Sequence, residues 1–215
     1  MRLCELMGLF LVVSAAAASS PGVAQASDDA RDPQGFVQRG TQKLSQLLRQ
    51  PKTGARDSQV TQELDAMVNY DELVHRAFGQ PCHPSLPSCT NDWATLAEEQ
   101  KKEVSALLKQ LIQRNYQKNL EKTLDYEITY KGEKVDAGDT KIRTEAKSKT
   151  KPRDPAVQID YVVREISGKL QIVDMITEGT SLTKSYYEQF DKKLKTPSDG
   201  YPNIVAKLKE RLAKV

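Results

Sequence analysis

Residues 156–194 constrain this chain more than any other stretch, because a strand pair and a helix follow one another there with almost no slack. The run Val157-Gln158-Ile159-Asp160-Tyr161-Val162-Val163-Arg164 alternates apolar and polar residues for most of its length, the two-residue period of a half-buried strand. Ser167-Gly168 supplies a tight turn. The next run, Leu170-Gln171-Ile172-Val173-Asp174-Met175-Ile176, starts by alternating and then becomes apolar on both sides, as an interior strand does. Glu178-Gly179 breaks the pattern, Ser181 can cap a helix, and Leu182, Tyr186, Phe190 and Leu194 recur at four-residue spacing on one helical face.

The preceding chain reads as helices. Asp32-Pro33 opens the first, with Val37, Gly40, Thr41, Leu44, Leu47 and Leu48 on one stripe and Gln50-Pro51 ending it. After a loop over 52–56, a second helix carries Val60, Leu64 and Met67. Asp71 is expected to cap a third, which presents Leu73, Val74, Ala77 and Phe78 before Gly79 stops it. Residues 80–92, rich in Pro, Ser and Cys, form an exposed loop on this reading. Thr95-Leu96-Ala97-Glu98 has the form of a capping box. It starts a helix in which Val104, Leu107, Leu108, Leu111, Ile112, Tyr116 and Leu120 share a face for about six turns, on the order of 40 Å.

From Leu124 the period changes to two. Tyr126, Ile128 and Tyr130 alternate with charged and polar residues, and turns are expected at Lys131-Gly132-Glu133 and Ala137-Gly138-Asp139. Residues 140–149 place Ile142, Thr144 and Ala146 opposite Lys141, Arg143, Glu145 and Lys147, a pattern for an edge strand or a wet face. The last helix, capped by Ser198 or Asp199, repeats Ile204, Val205, Leu208 and Leu212. Helices, then four strands, then two helices point to the α+β class, with a curved antiparallel four-stranded sheet packed against a helical half.

The 215 residues suit one domain. Arg2, the apolar run over 6–18 and Val23-Ala24-Gln25-Ala26 form a secretory signal peptide spanning 1–26, too short in its apolar part for a membrane span and lacking the Cys that a lipoprotein needs at the cleavage point. The expected product, 27–215, is a single exported domain. Its Cys82 and Cys89 then lie in an oxidising compartment, where they can form a local disulfide, stay free, or join His75 and His83 in a metal site whose spacing matches no usual zinc pattern. The net charge of +3 comes from interleaved signs, so nucleic acid is not an expected partner.

Catalytic signatures are scarce: the sequence has no G-x-S-x-G, P-loop, G-x-G-x-x-G or H-E-x-x-H. Its two histidines, His75 and His83, fall in or beside the loop region, away from the expected sheet, so no Ser-His-Asp set is expected to assemble. Asp160 and Asp174 are the carboxylates placed on strands among apolar neighbours; each is either a structural, hydrogen-bonded Asp or a general base of a small-molecule enzyme. The residues alone therefore describe an exported binding domain.

One segment carries a resemblance. Asp174-Met175-Ile176-Thr177-Glu178-Gly179-Thr180-Ser181-Leu182, with the strand over 159–163 before it and Tyr186-Tyr187-Glu188-Gln189-Phe190 after it, resembles the C-terminal signature of the MlaC or toluene-tolerance family. Tyr70-Asp71-Glu72-Leu73, Ala77-Phe78-Gly79, Trp93, 96–100 and 107–116 are similar to that family's helical half, so the likeness covers nearly all of 27–215. Residues 80–92 interrupt it as an insertion, and the strand before Asp174 has Leu170 and Gln171 where the family has an aromatic.

The resemblance implies a periplasmic phospholipid carrier on a nuclear transport factor 2-like sheet. Its implied partners are phospholipid, an inner-membrane ABC transporter complex with a substrate-binding ring, and an outer-membrane lipoprotein complex; it has no cofactor beyond lipid cargo and no catalytic or metal site. By that analogy Val104, Leu108, Leu111 and Ile112 of the long helix face Ile159, Tyr161, Val163, Met175 and Ile176 of the sheet around acyl chains, unless these residues simply pack as core. The rival readings are an envelope adaptor with a solid core and a curved-sheet enzyme using Asp160 or Asp174.

Overall fold

The computed structural model describes residues 32–196, 198 and 200–214, with the side chains of 117–120 excepted. The expected signal peptide, Cys4, and Asp199 as a cap lie outside the described residues, as does the side chain of Leu120. The helices α1 (Pro33–Leu48), α2 (Gly54–Met67), α3 (Tyr70–Ala77) and α4 (Glu98–Thr123) precede the strands, with a single 3-10 turn, Asp92–Thr95, between α3 and α4. The strands are β1 (Tyr126–Asp136), β2 (Asp139–Ser148), β3 (Val157–Ile166), β4 (Lys169–Thr177) and β5 (Thr180–Ser181), followed by α5 (Leu182–Lys195) and α6 (Gly200–Lys214).

Local hydrogen bonds explain where the helices begin, and they move three of the expected starts. Asp32 caps α1 by accepting from the Gly35 amide at 2.8 Å, as its sequence implies. Thr53 accepts from the Arg56 amide, so α2 takes in residues expected in the loop. Asn69, not Asp71, caps α3, accepting from Glu72 N–H at 2.8 Å. Thr95 donates to the Asp92 carbonyl within the 3-10 turn and is not free to cap. α4 instead starts two residues later, where Gln100 Oε1 accepts from the Ala97 amide.

The sheet is a five-stranded antiparallel meander in the order β1-β2-β3-β4-β5, where four strands were expected. The extra strand follows from turn chemistry. Ser167-Gly168 (φ 51° and 77°) and Glu178-Gly179 (φ 49° and 76°) both hold two successive left-handed residues, the two-residue hairpin turn whose twist matches its strands. Glu178-Gly179 is thus a hairpin, and Ser181 pairs with Ile176 before its side chain caps α5 by accepting from Lys184 N–H at 3.0 Å. The turn expected at Lys131-Gly132-Glu133 is a bulge inside β1, with the register shifting between Tyr130 and Gly132. β2 is not an edge strand: it lies between β1 and β3, and its alternation reflects a buried face (Ile142, Thr144, Ala146) and a wet one.

The helical layer is fastened along the β4 margin. The Asn69 amide donates to the Ile172 carbonyl at 3.0 Å, Asn69 Nδ2 donates to Gln171 Oε1 at 2.9 Å, and Val68 forms a parallel bridge to Ile172. Asp174, 1% exposed, accepts from the amides of Met175 (2.8 Å) and Thr183 (3.1 Å) and from the Ser181 hydroxyl, which locks β4 to the first turn of α5. Arg76 and Arg164 each pair with both Glu72 and Asp139, tying α3 to the β2 and β3 ends. Gly40 lets α1 approach Met67, whose side chain occupies the space of any Cβ at that position.

Residues 80–92 are more than an exposed loop. Cys82 and Cys89 form a disulfide, with Cα atoms 5.9 Å apart. Thr90 N–H donates to the Tyr187 hydroxyl at 2.8 Å, and Trp93 N–H donates to the Phe78 carbonyl at 3.1 Å. Asp92, 5% exposed, sits beside Asp191; burial first, then that neighbouring carboxylate, pushes its pKa up to about 6.

Two outcomes follow from these buried carboxylates. Asp174→Ala strands two buried amides and a hydroxyl, and urea unfolding should show a loss of about 3 kcal/mol. Asp92 favours its protonated form in the fold, so its contribution is complete below its ordinary value of 3.8 and is lost as pH rises through about 6. Asp92→Asn should therefore raise the thermal midpoint relative to the parent at about pH 7 and lose that advantage at about pH 4.

Candidate functional site

Where the helices part from the sheet they leave a cavity of about 670 Å³, within the usual range for ligand sites of about 300–1,000 Å³. Strand register builds its floor. Tyr126, Ile128 and Tyr130 of β1 lie on the same face as Ala146 of β2, Val157, Ile159 and Tyr161 of β3, and Ile172 and Met175 of β4. α1, α2 and α4 form the roof, and Leu182 and Tyr186 of α5 close one side. The cavity opens where its lining residues are solvent-exposed: Gln42 of α1, Lys122 and Thr123 in the last turn of α4, Glu127 of β1, and Lys149 just after β2.

Tyrosine hydroxyls are among the polar groups of the lining. Burial pushes the Tyr161 phenol up to about 12 and raises those of Tyr116 and Tyr130, so all three stay neutral at ordinary pH. The Tyr116 hydroxyl donates to Met175 Sδ at 3.2 Å, and Thr41 Oγ1 shares a hydrogen bond of 2.8 Å with the Tyr130 hydroxyl, joining α1 to β1 across the cavity edge. A space with aliphatic and aromatic walls, neutral hydroxyls and a charged rim accepts a long apolar group whose polar end stays in water.

The residues named from the sequence divide into two groups. Ile112, Ile159, Tyr161 and Met175 line the cavity. Val104, Leu108 and Leu111 do not: they belong to the same buried cluster as Ile204, Leu208 and Leu212, because that face of α4 packs on α6. The cavity side of α4 is the next stripe, Ile112, Asn115, Tyr116 and Thr123. Val163 shares the floor's face but lies among the core residues at 1% exposure. Ile176 follows Met175 directly in the strand and pairs with Asp160, which turns it to the opposite face.

Sequence reasoning missed the contributions of α1, α2 and β1. The available signal was Tyr126, Ile128 and Tyr130: three large residues on the inward face of an edge strand, all left half-buried. α1 offered a subtler one, since Gln38, Thr41, Gln42 and Ser45 form a polar stripe alongside its apolar one, and that stripe borders the cavity.

Asp160 and Asp174 lie on the far face of the sheet and do not touch the cavity. Contrary to expectation, a histidine does reach the sheet: His83 Nε2 lies 3.9 Å from Asp174 Oδ2, and Ser85 Oγ lies 2.9 Å from His83 Nδ1. The Ser85–His83 contact is local to the loop, and Asp174 already accepts three hydrogen bonds, so this row of residues seats the loop against β4. His75 packs on Trp93, with ring centroids 4.6 Å apart. Both cysteines are used in the disulfide, and the described residues contain no cluster of three or more His, Cys, Asp or Glu arranged for a metal.

The architecture has a solved counterpart. A phospholipid-binding protein from Ralstonia solanacearum, determined in complex with a phospholipid, superposes with a TM-score of 0.66 over 85% of this chain and 98% of its own, at 19% identity. That likeness establishes the α+β fold of helices, antiparallel sheet and C-terminal helices. No curated protein matches the chain significantly. The MlaC protein family model matches residues 38–210, spanning α1 to α6 with the cavity walls between them, and on that match the chain belongs to the MlaC family.

Proposed function

We propose that this protein is a soluble phospholipid carrier of the periplasm, exported through the signal peptide at 1–26. It would move lipid between the outer and inner membranes as the mobile component of an ABC-type transport system. The supporting observation is the open, apolar cavity of about 670 Å³ between sheet and helices, and the phospholipid bound to the Ralstonia protein of like fold points the same way. On this reading the sheet is of the nuclear transport factor 2-like kind, acyl chains lie over Ile159, Tyr161 and Met175 beneath Ile112 and Tyr116, and the headgroup sits at the rim. The chain acts by binding, not catalysis. Its partners are an inner-membrane ABC complex with a substrate-binding ring and an outer-membrane lipoprotein complex.

The energetics suit carriage. Each methylene moved out of water gains about 0.8 kcal/mol, whereas moving it from a bilayer into an apolar cavity gains almost nothing. A carrier of this kind loads and unloads reversibly, and its partners set the direction of transfer. A solid-core adaptor has no use for a void of this size.

Protein purified without detergent should carry stoichiometric phospholipid by native mass spectrometry. Ala146→Trp and Ile159→Trp place an indole in the cavity floor and should abolish lipid co-purification while far-ultraviolet circular dichroism stays unchanged. Native protein that is consistently lipid-free, or tryptophan variants that retain full lipid, would overturn the carrier reading.

A further inference from the structure

We infer that the rim of the cavity is also a docking surface for an anionic bilayer, made by the basic turn that joins β2 to β3. Lys147, at the end of β2 on its wet face, and Lys149, Lys151 and Arg153 of the turn itself fall at alternate positions within seven residues, and all four are exposed. Hydrogen bonds order the turn: Lys149 N–H donates to the Asp125 carbonyl at the α4–β1 junction at 2.8 Å, Lys151 N–H to Ser148 Oγ at 3.0 Å, and Asp154 N–H to the Lys151 carbonyl at 3.1 Å. Lys149 itself lines the cavity, and Lys122 stands at the same rim on α4. The stretch is therefore continuous with the opening through which any cargo must pass.

The charge there is also less compensated than on α6. On α6 the lysines are paired: Lys207 and Lys214 with Glu210, and Lys209 with Glu103. Among the described residues, none of Lys147, Lys149, Lys151 and Arg153 forms an ion pair; the nearby carboxylates Asp125, Glu127 and Asp154 offset only part of their charge. Ser148, Thr150 and Pro152 separate these cations, and no large apolar or aromatic side chain stands among them. Such a turn lacks the buried anchor that a protein partner usually requires. It does supply a screened, non-directional attraction suited to a continuous layer of phosphate groups, strong enough to present the opening to a membrane and weak enough to release it.

This inference rests on the carrier reading, and the experiment keeps the two apart. Mature protein is mixed with phosphatidylglycerol vesicles or phosphatidylcholine vesicles and binding is measured by co-sedimentation at low and high salt, with retained lipid quantified in parallel by native mass spectrometry. The triple variant K147Q/K151Q/R153Q leaves the cavity-lining Lys149 in place. It should bind phosphatidylglycerol vesicles on the order of a hundredfold more weakly than the parent at low salt, bind phosphatidylcholine vesicles equally weakly, and keep its bound lipid. The charge-matched α6 triple K207Q/K209Q/K214Q should stay within about twofold of the parent, since net charge alone is not the cause. The proposal is overturned by equal anionic-vesicle binding of the parent and the rim variant, by binding that high salt does not weaken, or by a parent that binds a protein partner but no vesicles. A lipid-free parent would sink the carrier reading, whatever the vesicles show.

Discussion

The molecule depends on its helical layer being fastened to the sheet chiefly along β4 and at one end of the β2–β3 ladder. Asn69 and Val68 dock on Ile172, Asp174 grips the start of α5, and the Arg76, Glu72, Asp139 and Arg164 quartet closes the end of the β2–β3 ladder. Toward β1 a hydrogen bond between the Thr41 and Tyr130 hydroxyls joins the two layers. A layer held firmly at β4 and lightly at β1 stands away from the intervening floor, and that divergence is the cavity. The buried carboxylate of Asp174 matters because it carries strand pairing, helix capping and loop seating at one point.

α4 gains its importance from having one packed side and one that lines the cavity. One stripe, Val104, Leu108 and Leu111, is buried in the same close-packed core as Ile204 and Leu208 of α6, a helix against which α4 packs. The neighbouring stripe, Ile112 and Tyr116, looks onto open space. The C-terminal helix thus supports the roof from behind, and the roof can stand over a void without collapsing into it. The family assignment, matched over 38–210, includes both the roof and its support.

Much of the fold was legible because it rests on local chemistry. The hairpin 157–176 shows in its alternation, α5 in its four-residue spacing, and the Cys pair in its loop. What failed was information held between elements. Glu178-Gly179 reads as a break in sequence and becomes a hairpin only when Ser181 finds Ile176. Thr95 has the form of a cap but is claimed by the 3-10 turn. The site was half legible for the same reason: an apolar face can be read from periodicity, but whether another helix covers it cannot, so Leu108 and Ile112 looked alike. Met175 and Ile176 cannot both face the cavity, since adjacent strand residues point to opposite faces, and it is Met175 that does.

The cavity's size argues that it is never empty. Scaled at about 24 cal/mol per Å³, a dry void of about 670 Å³ would cost on the order of 16 kcal/mol, comparable to or larger than the entire stability of a typical domain at about 5–15 kcal/mol. Its exposed rim at Gln42, Thr123 and Lys149 admits water, which removes the vacuum cost but leaves apolar walls wetted. A bound acyl chain removes that second cost as well, so the fold and its ligand are coupled through the same surface. Anything that binds the native cavity and not the unfolded chain must stabilise the protein by mass action. The open margin over β1 is therefore a stability deficit in the unliganded molecule, and the binding of a long apolar group offsets it.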